Sequence, residues 1–259
     1  MSAAAPLDAA VRDTIAMTRR NLYHYLRLPA LVAVAVTQSV LFVVMFTYVF
    51  QGAIHTPGVR YIDYLMPGIL VLAVAFGSPN TGVGLAEDLT TGMLDRFRSL
   101  PMARPALLAG RTLADAVRNL FVVLVMLGVG ALIGFRFHAG PLAALAAIVL
   151  PVAVGYVLSW FAAFVGLATG DAETAGTASL LPIIPLAFTS SAFVPVDTMP
   201  GPLQAWADIN PITHIVDAGR ALIVGGPTAT PLLQALAWLT GFAAVVIPLA
   251  VRRYSQATQ

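Results

Sequence analysis

The sequence predicts an all-α integral membrane protein that crosses the bilayer six times. Hydrophobic residues make up 59% of the chain and charged residues only 10%, far from the roughly 25% charged residues of an ordinary soluble domain. The apolar residues also fall in six long stretches, and a hydrocarbon core about 30 Å thick needs about 20 apolar residues per helix. A soluble core could not cover this much apolar surface, so the chain is predicted to be polytopic.

An amphipathic helix is predicted before the first span, over residues 7–28. Leu7, Val11 and Ile15 recur at helical spacing, while Arg12 falls on another side of the same helix. A helix with one apolar and one basic stripe lies in the plane of the membrane interface, with its arginines near anionic headgroups. The sequence leaves two roles open for it, a topology anchor or a contact with a cytoplasmic partner.

The six transmembrane helices follow in order along the chain. They are predicted at residues 29–50, 62–85, 112–135, 141–169, 174–196 and 229–251. The third span is short unless its helix begins in water near Thr112, with Asp115 and Arg118 at the interface. Six crossings place both termini on one side of a bacterial cytoplasmic membrane.

The arginines indicate which side that is. All fourteen basic residues are arginine, and the six-span plan assigns eleven of them to the cytoplasm and three to the outside. This excess follows the positive-inside rule, so both termini are predicted to be cytoplasmic. The lack of lysine matters as well, because a Walker A loop uses lysine to reach the β- and γ-phosphates. Any ATP must be handled by another polypeptide, and the net charge of +2 does not indicate a nucleic-acid partner.

A charged loop is predicted between the second and third spans, over residues 87–105. It reads as a short helix, a glycine break, a second short helix ended by proline, and a turn. Its pattern consists of an acid, a glycine, an acid–arginine pair, a proline and a basic residue, at Glu87, Gly92, Asp95, Arg96, Pro101 and Arg104, and Arg98 is a further candidate in the loop. Taken alone, a charge run of this kind is usually a solvated loop.

A second pattern precedes the last span. It contains Phe-x-Pro, Met-Pro, Asn-Pro and a closing arginine, at Phe193, Pro195, Met199, Pro200, Asn210, Pro211 and Arg220. Residues 197–226 are too polar to cross the bilayer, yet they carry large apolar side chains such as Trp206. Irregular backbone at membrane depth must be buried in protein or face water. Two short helices dipping into the outer leaflet are therefore predicted.

Together the two patterns resemble the permease subunits of type 2 ABC exporters, the family that includes the daunorubicin-resistance permeases. The resemblance covers nearly the whole chain. It implies that the loop at 87–105 is a coupling helix seated in a separate ABC ATPase subunit, and that residues 197–226 form a re-entrant hairpin closing the outer mouth. It also implies a second permease copy or a related permease around a shared pathway. ATP and Mg²⁺ would be bound by the ATPase, so no cofactor is expected on this chain.

Uncharged polar side chains inside the predicted spans are the candidates for lining that pathway. The set comprises Gln38, Asn80, Thr189, Ser190 and Ser191. For any one of them helix packing is the simpler role. No charge is expected in the middle of any span, whereas ion-coupled carriers usually have one. This favours the export of an amphipathic drug, antibiotic or lipid, driven from outside the membrane.

Three alternatives stay open. The resembled family also includes polysaccharide exporters. A membrane enzyme would need converging catalytic groups, which the spans do not offer. The chain has no cysteine and only four dispersed histidines, so neither a catalytic nor a metal site is predicted. A secondary carrier is opposed by the lack of a charge in the spans and of a repeat of three plus three helices.

Overall fold

The computed structural model describes residues 7–27, 29–50, 58–91 and 104–257, and these ranges contain helices and no strand. The predicted all-α class is confirmed. The helices are α1 (Leu7–Arg27), α2 (Pro29–Phe50), α3 (Tyr61–Gly77), α4 (Pro79–Thr90), α5 (Arg104–Ile133), α6 (Gly140–Thr169), α7 (Ala172–Leu180), α8 (Ile183–Phe188), α9 (Gly201–Ala207), α10 (Pro211–Val224) and α11 (Ala229–Ala257).

Four helical stretches within these ranges are long and apolar enough to cross a membrane. They are Tyr61–Thr90, which joins α3 and α4, Leu107–Ile133 in α5, Gly140–Thr169 and Ala229–Gln256. They lie at four of the six predicted spans. Shorter apolar stretches, Val36–Val49 in α2 and Ala172–Phe188 in α7 and α8, lie at the other two. The composition and these four helices identify an integral membrane protein.

α7 and α8 replace the single helix predicted over 174–196. The helix is interrupted at Pro182 and ends at Phe188. Proline removes a backbone donor and clashes with the preceding turn, so Pro182 and Pro185 break the helix. The residues after Phe188 form turns instead of a further helical segment. The last part of the predicted span is therefore irregular backbone.

The second and third spans extend into the predicted charged loop. α4 runs to Thr90, so Glu87 lies on a helix, and α5 begins at Arg104, eight residues before the predicted span at 112–135. As a result, Asp115 falls inside α5 and not at its start. The stretch between the two helices, residues 92–103, lies outside the described residues.

α6 lies at the centre of the bundle, where it contacts α3, α4, α5, α7, α10 and α11. The main apolar core surrounds α3. Leu65 and Ile69 of α3 belong to it together with Val154 of α6 and Val216 of α10. Buried residues cover all sides of α3 from Tyr61 to Ala75, as expected of a helix that is apolar all round.

α4 and α6 meet backbone to backbone. A methyl group added at Gly82 would overlap the carbonyl of Ala162, and one added at Gly166 would overlap the carbonyl of Gly82. Helices in lipid associate largely through van der Waals packing, and small residues allow their backbones to approach closely. Gly82 and Gly166 therefore fix the position of α4 against α6.

Replacing Gly82 by alanine should lower the free energy of unfolding by about 1–3 kcal/mol, because the added methyl group forces α4 away from α6. The matched control is Gly128→Ala in α5, where no atom lies within 4 Å of the added methyl group. Alanine is the better helix former, so the control should be neutral or slightly stabilising. Thermal unfolding in detergent checks both variants. Equal melting temperatures would contradict the close contact.

Candidate functional site

The described residues flank the predicted coupling loop on both sides. Glu87 lies near the end of α4 with an exposed side chain, and Arg104 opens α5, where only its backbone is described. The other predicted coupling residues lie outside the described residues: Gly92, Asp95, Arg96, Arg98 and Pro101. The described part of this site therefore consists of the two helices that flank the loop.

Charged side chains link these two helices next to the loop. We call this set the inner seam, and it comprises Asp88 of α4 with Arg111, Asp115 and Arg118 of α5. The backbones of α4 and α5 approach each other at few points, so long side chains make most of the connection. α4 runs towards the loop and α5 runs away from it. The two helices are thus antiparallel, and their contacts are spaced along both helices from the loop into the bundle.

The contact nearest the loop joins Asp88 to Arg111. Nη1 of Arg111 donates to Oδ2 of Asp88 at 2.6 Å, and the two side chains are 26% and 23% exposed. A side chain at Gly84 would overlap the guanidinium group of Arg111. Gly84 therefore provides the space through which Arg111 reaches α4. Partly exposed pairs contribute little to stability, so this pair mainly sets the register of the two helices.

The deeper contacts of the inner seam are buried. Asp115 is 1% exposed, accepts a hydrogen bond from Thr81 Oγ1 at 2.6 Å, and lies 3.5 Å from Nη1 of Arg118. Arg118 also donates to the carbonyl of Gly77 at 3.0 Å. A buried carboxylate needs both a counter-charge and hydrogen bonds, and Asp115 has both. The inner seam thus ties α5 to α4 and to the end of α3.

Sequence reasoning missed the inner seam. It placed Asp115 and Arg118 at the membrane interface and expected no charge in the middle of a span. In the structure both residues lie within α5, in its apolar stretch Leu107–Ile133, and Asp115 is buried against Thr81 of α4. Their spacing is the signal that could have found them. Arg111, Asp115 and Arg118 stand at i, i+4 and i+7, which is one face of a helix.

At the other end of the bundle, Arg220 holds three segments together. We call this set the outer cluster, and it comprises Tyr64 of α3, Ser191 in the turn after α8, and Asp217 and Arg220 of α10. The guanidinium of Arg220 lies 3.7 Å from the centroid of the Tyr64 ring and donates to Asp217 at 2.6 Å. It also donates to the carbonyls of Ser191 at 2.8 Å and Tyr64 at 3.3 Å.

Arginine suits the outer cluster because its planar group combines several donors with a face that stacks on an aromatic ring. The Ser191 hydroxyl donates to the same carboxylate oxygen of Asp217 at 2.8 Å, which orients the pair. An open cavity of about 280 Å³ lies beside these side chains, with Tyr64, Asp217 and Arg220 in its wall. The predicted closing arginine is therefore the residue that joins α3, the turn and α10.

Asn210 and Pro211 form the start of α10. The first backbone N–H groups of a helix have no partner within it. Pro211 has no N–H group, and the Asn210 side-chain oxygen accepts from the N–H of Ile212 at 2.9 Å. The amide nitrogen of Asn210 donates to the carbonyl of Leu186 at 2.8 Å. One side chain thus caps α10 and satisfies a carbonyl freed by the end of α8.

Phe193 holds the turn after α8 against α2. Its ring stacks on Phe46 of α2, with centroids 4.7 Å apart, and on Phe188 at 5.7 Å. On the opposite side the turn lies against α3, because a methyl group at Gly68 would overlap the carbonyl of Ala192. The turn is therefore enclosed between α2 and α3.

Pro195, Met199 and Pro200 guide the chain from this turn to α9. Pro195 precedes a single 3₁₀ turn at Val196–Thr198, and Pro200 precedes α9. Gln204 of α9 donates back to the carbonyl of Met199 at 2.8 Å. These contacts are local, so they set the path of the backbone.

The predicted pathway residues do not form one group. Ser190 and Ser191 are buried and Thr189 is partly buried in the turn after α8, where each hydroxyl donates a hydrogen bond within the protein. Gln38 and Asn80 are exposed on α2 and α4. The structure therefore brings together only the three hydroxyl residues, and it uses them to satisfy polar groups where a helix ends.

Comparison with known proteins identifies the family. The family described as ABC-2 type transporter matches residues 12–224, a range that includes the inner seam and the outer cluster. The chain belongs to this family. The resemblance drawn from the two residue patterns is thus confirmed.

Individual relatives in this ABC-2 family carry names related to drug resistance. The daunorubicin resistance ABC transporter permease protein DrrB1 of Streptomyces coeruleorubidus is 34% identical over 245 residues, covering 95% of this chain and 87% of that protein. A protein named as the probable doxorubicin resistance ABC transporter permease protein DrrC of Mycobacterium tuberculosis is 31% identical, covering 93% of this chain and 88% of its own length. Both alignments cover nearly the full length of each chain.

Replacing Asp115 by asparagine should destabilise the protein by about 3 kcal/mol, because it removes the buried carboxylate that pairs with Arg118, whose side chain is only 16% exposed. The control is Asp208→Asn, the same change at an exposed residue after α9, which should have little effect. Unfolding in detergent by heat or denaturant measures both. Equal stability of the two variants would show that the buried pair does not hold α5 in place.

Replacing Arg220 by lysine should loosen the outer cluster, although the positive charge is kept. Lysine cannot stack on Tyr64 and reach two carbonyls and a carboxylate together. Loss of charged hydrogen bonds should speed amide exchange in residues 186–194 about tenfold, measured by hydrogen–deuterium exchange. The control Arg136→Lys changes an exposed arginine that donates to the carbonyls of Ala131 and Phe135. Similar exchange in both variants would contradict the assignment.

Proposed function

We propose that this chain is the membrane-spanning permease subunit of an ATP-driven exporter. It carries an amphipathic drug, antibiotic or lipid outward, and a separate ABC ATPase subunit supplies the energy. The observation that carries the proposal is the 34% identity, over 95% of this chain, to a permease named for daunorubicin resistance. The chain itself has no lysine with which to form a Walker A loop.

The inner seam supports a role for α4 and α5 in coupling. A loop can transmit a displacement into the membrane only if the helices on both sides move with it. Asp88 and Arg111 join those helices beside the loop, and Asp115 joins them again about 6 Å deeper, four residues further along α5. We propose that the ATPase binds residues 87–105 and that the inner seam makes α4 and α5 move as one unit.

The packing of α10 supports a re-entrant hairpin at 197–226. A methyl group at Gly219 would lie 3.2 Å from Pro67 and 3.9 Å from Leu150. Leu150 is ten residues inside α6, or about 15 Å from its start. Eight residues of α10 are buried, which fits a helix seated among spans. We propose that α9 and α10 enter the outer leaflet and close the outer end of the pathway.

The exposed apolar face formed by α2, α8 and α9 supports pairing with a second permease. Leu41 and Tyr48 of α2 are 59% and 66% exposed, Phe188 is 60% exposed, and Trp206 of α9 is 45% exposed. Exposed apolar patches of this kind mark contact with lipid or with another protein. We propose that a second copy or a related permease faces this surface, with the substrate pathway between the two.

The topology follows from the same proposal. With the loop at 87–105 in the cytoplasm, α1 and the end of α11 lie on the same side, and Arg60, Arg136 and Arg220 lie outside. This arrangement keeps eleven of fourteen arginines cytoplasmic, as the positive-inside rule requires. The compartment is the cytoplasmic membrane of a bacterium.

Replacing Glu87 by glutamine should weaken binding of the ATPase and reduce export, because Glu87 is an exposed charge at the base of the loop. Loss of one interfacial charge contact of about 1.4 kcal/mol corresponds to about tenfold weaker binding. The measurements are copurification of an ABC ATPase coexpressed from the same genome and accumulation of daunorubicin in a sensitive host. Without the ATPase, the purified chain should not hydrolyse ATP.

The matched control is Glu173→Gln, which removes the same charge from an exposed residue in the first turn of α7, outside the coupling loop. It should retain ATPase binding and export, and both variants should reach the membrane in equal amounts. Normal export by Glu87→Gln, or equal losses in both variants, would contradict the coupling assignment. Hydrolysis of ATP by the pure chain would contradict the proposed function itself.

A further inference from the structure

Two neighbouring helices of the bundle are interrupted beside a proline. The predicted second span breaks at Ser78, where α3 ends at Gly77 and α4 begins at Pro79. The predicted fifth span breaks at Leu181, between the end of α7 and Pro182. Proline has no N–H group, and its ring clashes with the preceding turn. Each helix therefore loses a backbone hydrogen bond at its break and can change direction there.

On the loop side of these breaks, α4 and α7 pack closely against each other. A methyl group added at Gly82 of α4 would lie 3.4 Å from the hydroxyl oxygen of Ser179 on α7. A methyl group added at Gly176 of α7 would lie 3.2 Å from Val83 of α4. Residue numbers fall along α7 as they rise along α4, so the two helices are antiparallel. Small residues at such a contact let backbones approach closely in lipid, and α4 and α7 thus form a closely packed pair.

The two breaks lie at one level of the bundle. Pro79 is three residues from Gly82, and Pro182 is three residues from Ser179, in both cases away from the loop at 87–105. Each separation is about 4.5 Å of helix. From this level towards the loop, α4 extends for 12 residues and α7 for 9, or about 18 Å and 14 Å. The pair therefore consists of two arms of similar length that start from adjacent breaks.

Side chains satisfy the carbonyls that the first break frees. The carbonyl of Ala75 loses its usual backbone donor to the proline and accepts from the Ser78 hydroxyl at 2.8 Å. The carbonyl of Gly77 accepts from Arg118 of α5 at 3.0 Å. The N–H of Thr81, its usual partner in a helix, donates to the Ser78 carbonyl at 3.0 Å instead. Free carbonyls are costly in lipid, and a side-chain donor can follow a carbonyl when the angle between α3 and α4 changes.

The close contact between α4 and α6 lies next to the first break. Gly82 faces the carbonyl of Ala162, and Gly166 faces the carbonyl of Gly82. A tilt of α4 about Ser78 moves Gly82 little, because Gly82 is only about one turn away. The same tilt moves Thr90 most, since it lies about 18 Å from Ser78 at the end of α4. The contact with α6 can thus persist while the end beside the loop shifts.

We propose that the breaks at Ser78–Pro79 and Leu181–Pro182 form one hinge, about which α4 and α7 tilt together. α3 stays in the apolar core, and the inner seam carries the start of α5 with the pair. The tilt reaches α8 through the second break and from there the turn that holds Ser191 of the outer cluster. The source of the displacement rests on the proposed function, whereas the hinge is a property of this chain alone.

Hydrogen–deuterium exchange of the purified chain in nanodiscs tests whether the two breaks form one hinge. Pro79→Ala restores an N–H group and favours a continuous helix, so exchange in residues 76–83 should slow about tenfold. If the breaks are coupled, exchange in residues 178–186 on the other helix should also slow, by about threefold. The control Pro248→Ala makes the same change at an exposed proline inside α11 and should alter neither segment. Unchanged exchange in residues 178–186 of Pro79→Ala would overturn the shared hinge.

The role of the hinge is tested with Pro79→Ala/Pro182→Ala in complex with an ABC ATPase coexpressed from the same genome. The double variant should export about tenfold less daunorubicin per ATP hydrolysed. Its melting temperature should equal or exceed that of the unmodified chain, because alanine is the better helix former, so the loss is not one of folding. Unchanged export per ATP, or an equal loss in Pro248→Ala, would overturn this role. Failure of the unmodified chain to bind an ATPase would instead contradict the proposed function, and the exchange measurement would still decide the hinge.

Discussion

The backbone contact between α4 and α6 at Gly82 and Gly166 is the constraint on which the rest of the bundle depends. In lipid the hydrophobic effect does not drive helices together, so their position is set by how closely they can pack. Gly82 faces the carbonyl of Ala162 and Gly166 faces the carbonyl of Gly82, which allows one close approach that larger residues would prevent. α6 in turn contacts α3, α5, α10 and α11. Fixing α4 against α6 therefore also fixes where the inner seam meets α5.

Two residues of the second sequence pattern, Asn210 and Arg220, share one physical task, which is to satisfy backbone groups where helices break. A broken helix in a membrane leaves N–H and C=O groups that cannot turn to water. The Asn210 side chain donates a hydrogen bond to a carbonyl at the end of α8 and accepts one from a backbone N–H at the start of α10. Arg220 donates hydrogen bonds to the carbonyls of Tyr64 and Ser191. These two residues of the pattern thus satisfy irregular backbone within the bundle.

The sequence predicted the helices well where apolar runs are long and uninterrupted, as in α6, predicted at 141–169 and found at Gly140–Thr169. It failed at the end of α8, because hydropathy cannot show that the helix stops at Phe188, where the distant side chain of Asn210 donates to the carbonyl of Leu186. It also did not predict the burial of Asp115, because its hydrogen-bond partner Thr81 lies on another helix. Both errors arise from contacts distant in sequence, which composition and periodicity do not record.

The charges of the inner seam are compatible with a membrane because of where they lie along the spans. Thr81 on α4 lies 18 residues after Asp63, which is near the outer end of α3, and this separation corresponds to about 27 Å of helix. Arg118 lies 15 residues before Ile133 at the outer end of α5, which corresponds to about 22 Å. Both lengths are shorter than the hydrocarbon core of about 30 Å, so the seam lies near the inner edge of that core, where charges cost less than at its centre. Under the proposed function, a displacement of the loop enters the bilayer through helices joined by charge. It then crosses a tightly packed apolar layer and reaches the outer helix breaks, where irregular backbone can rearrange more readily than a continuous helix.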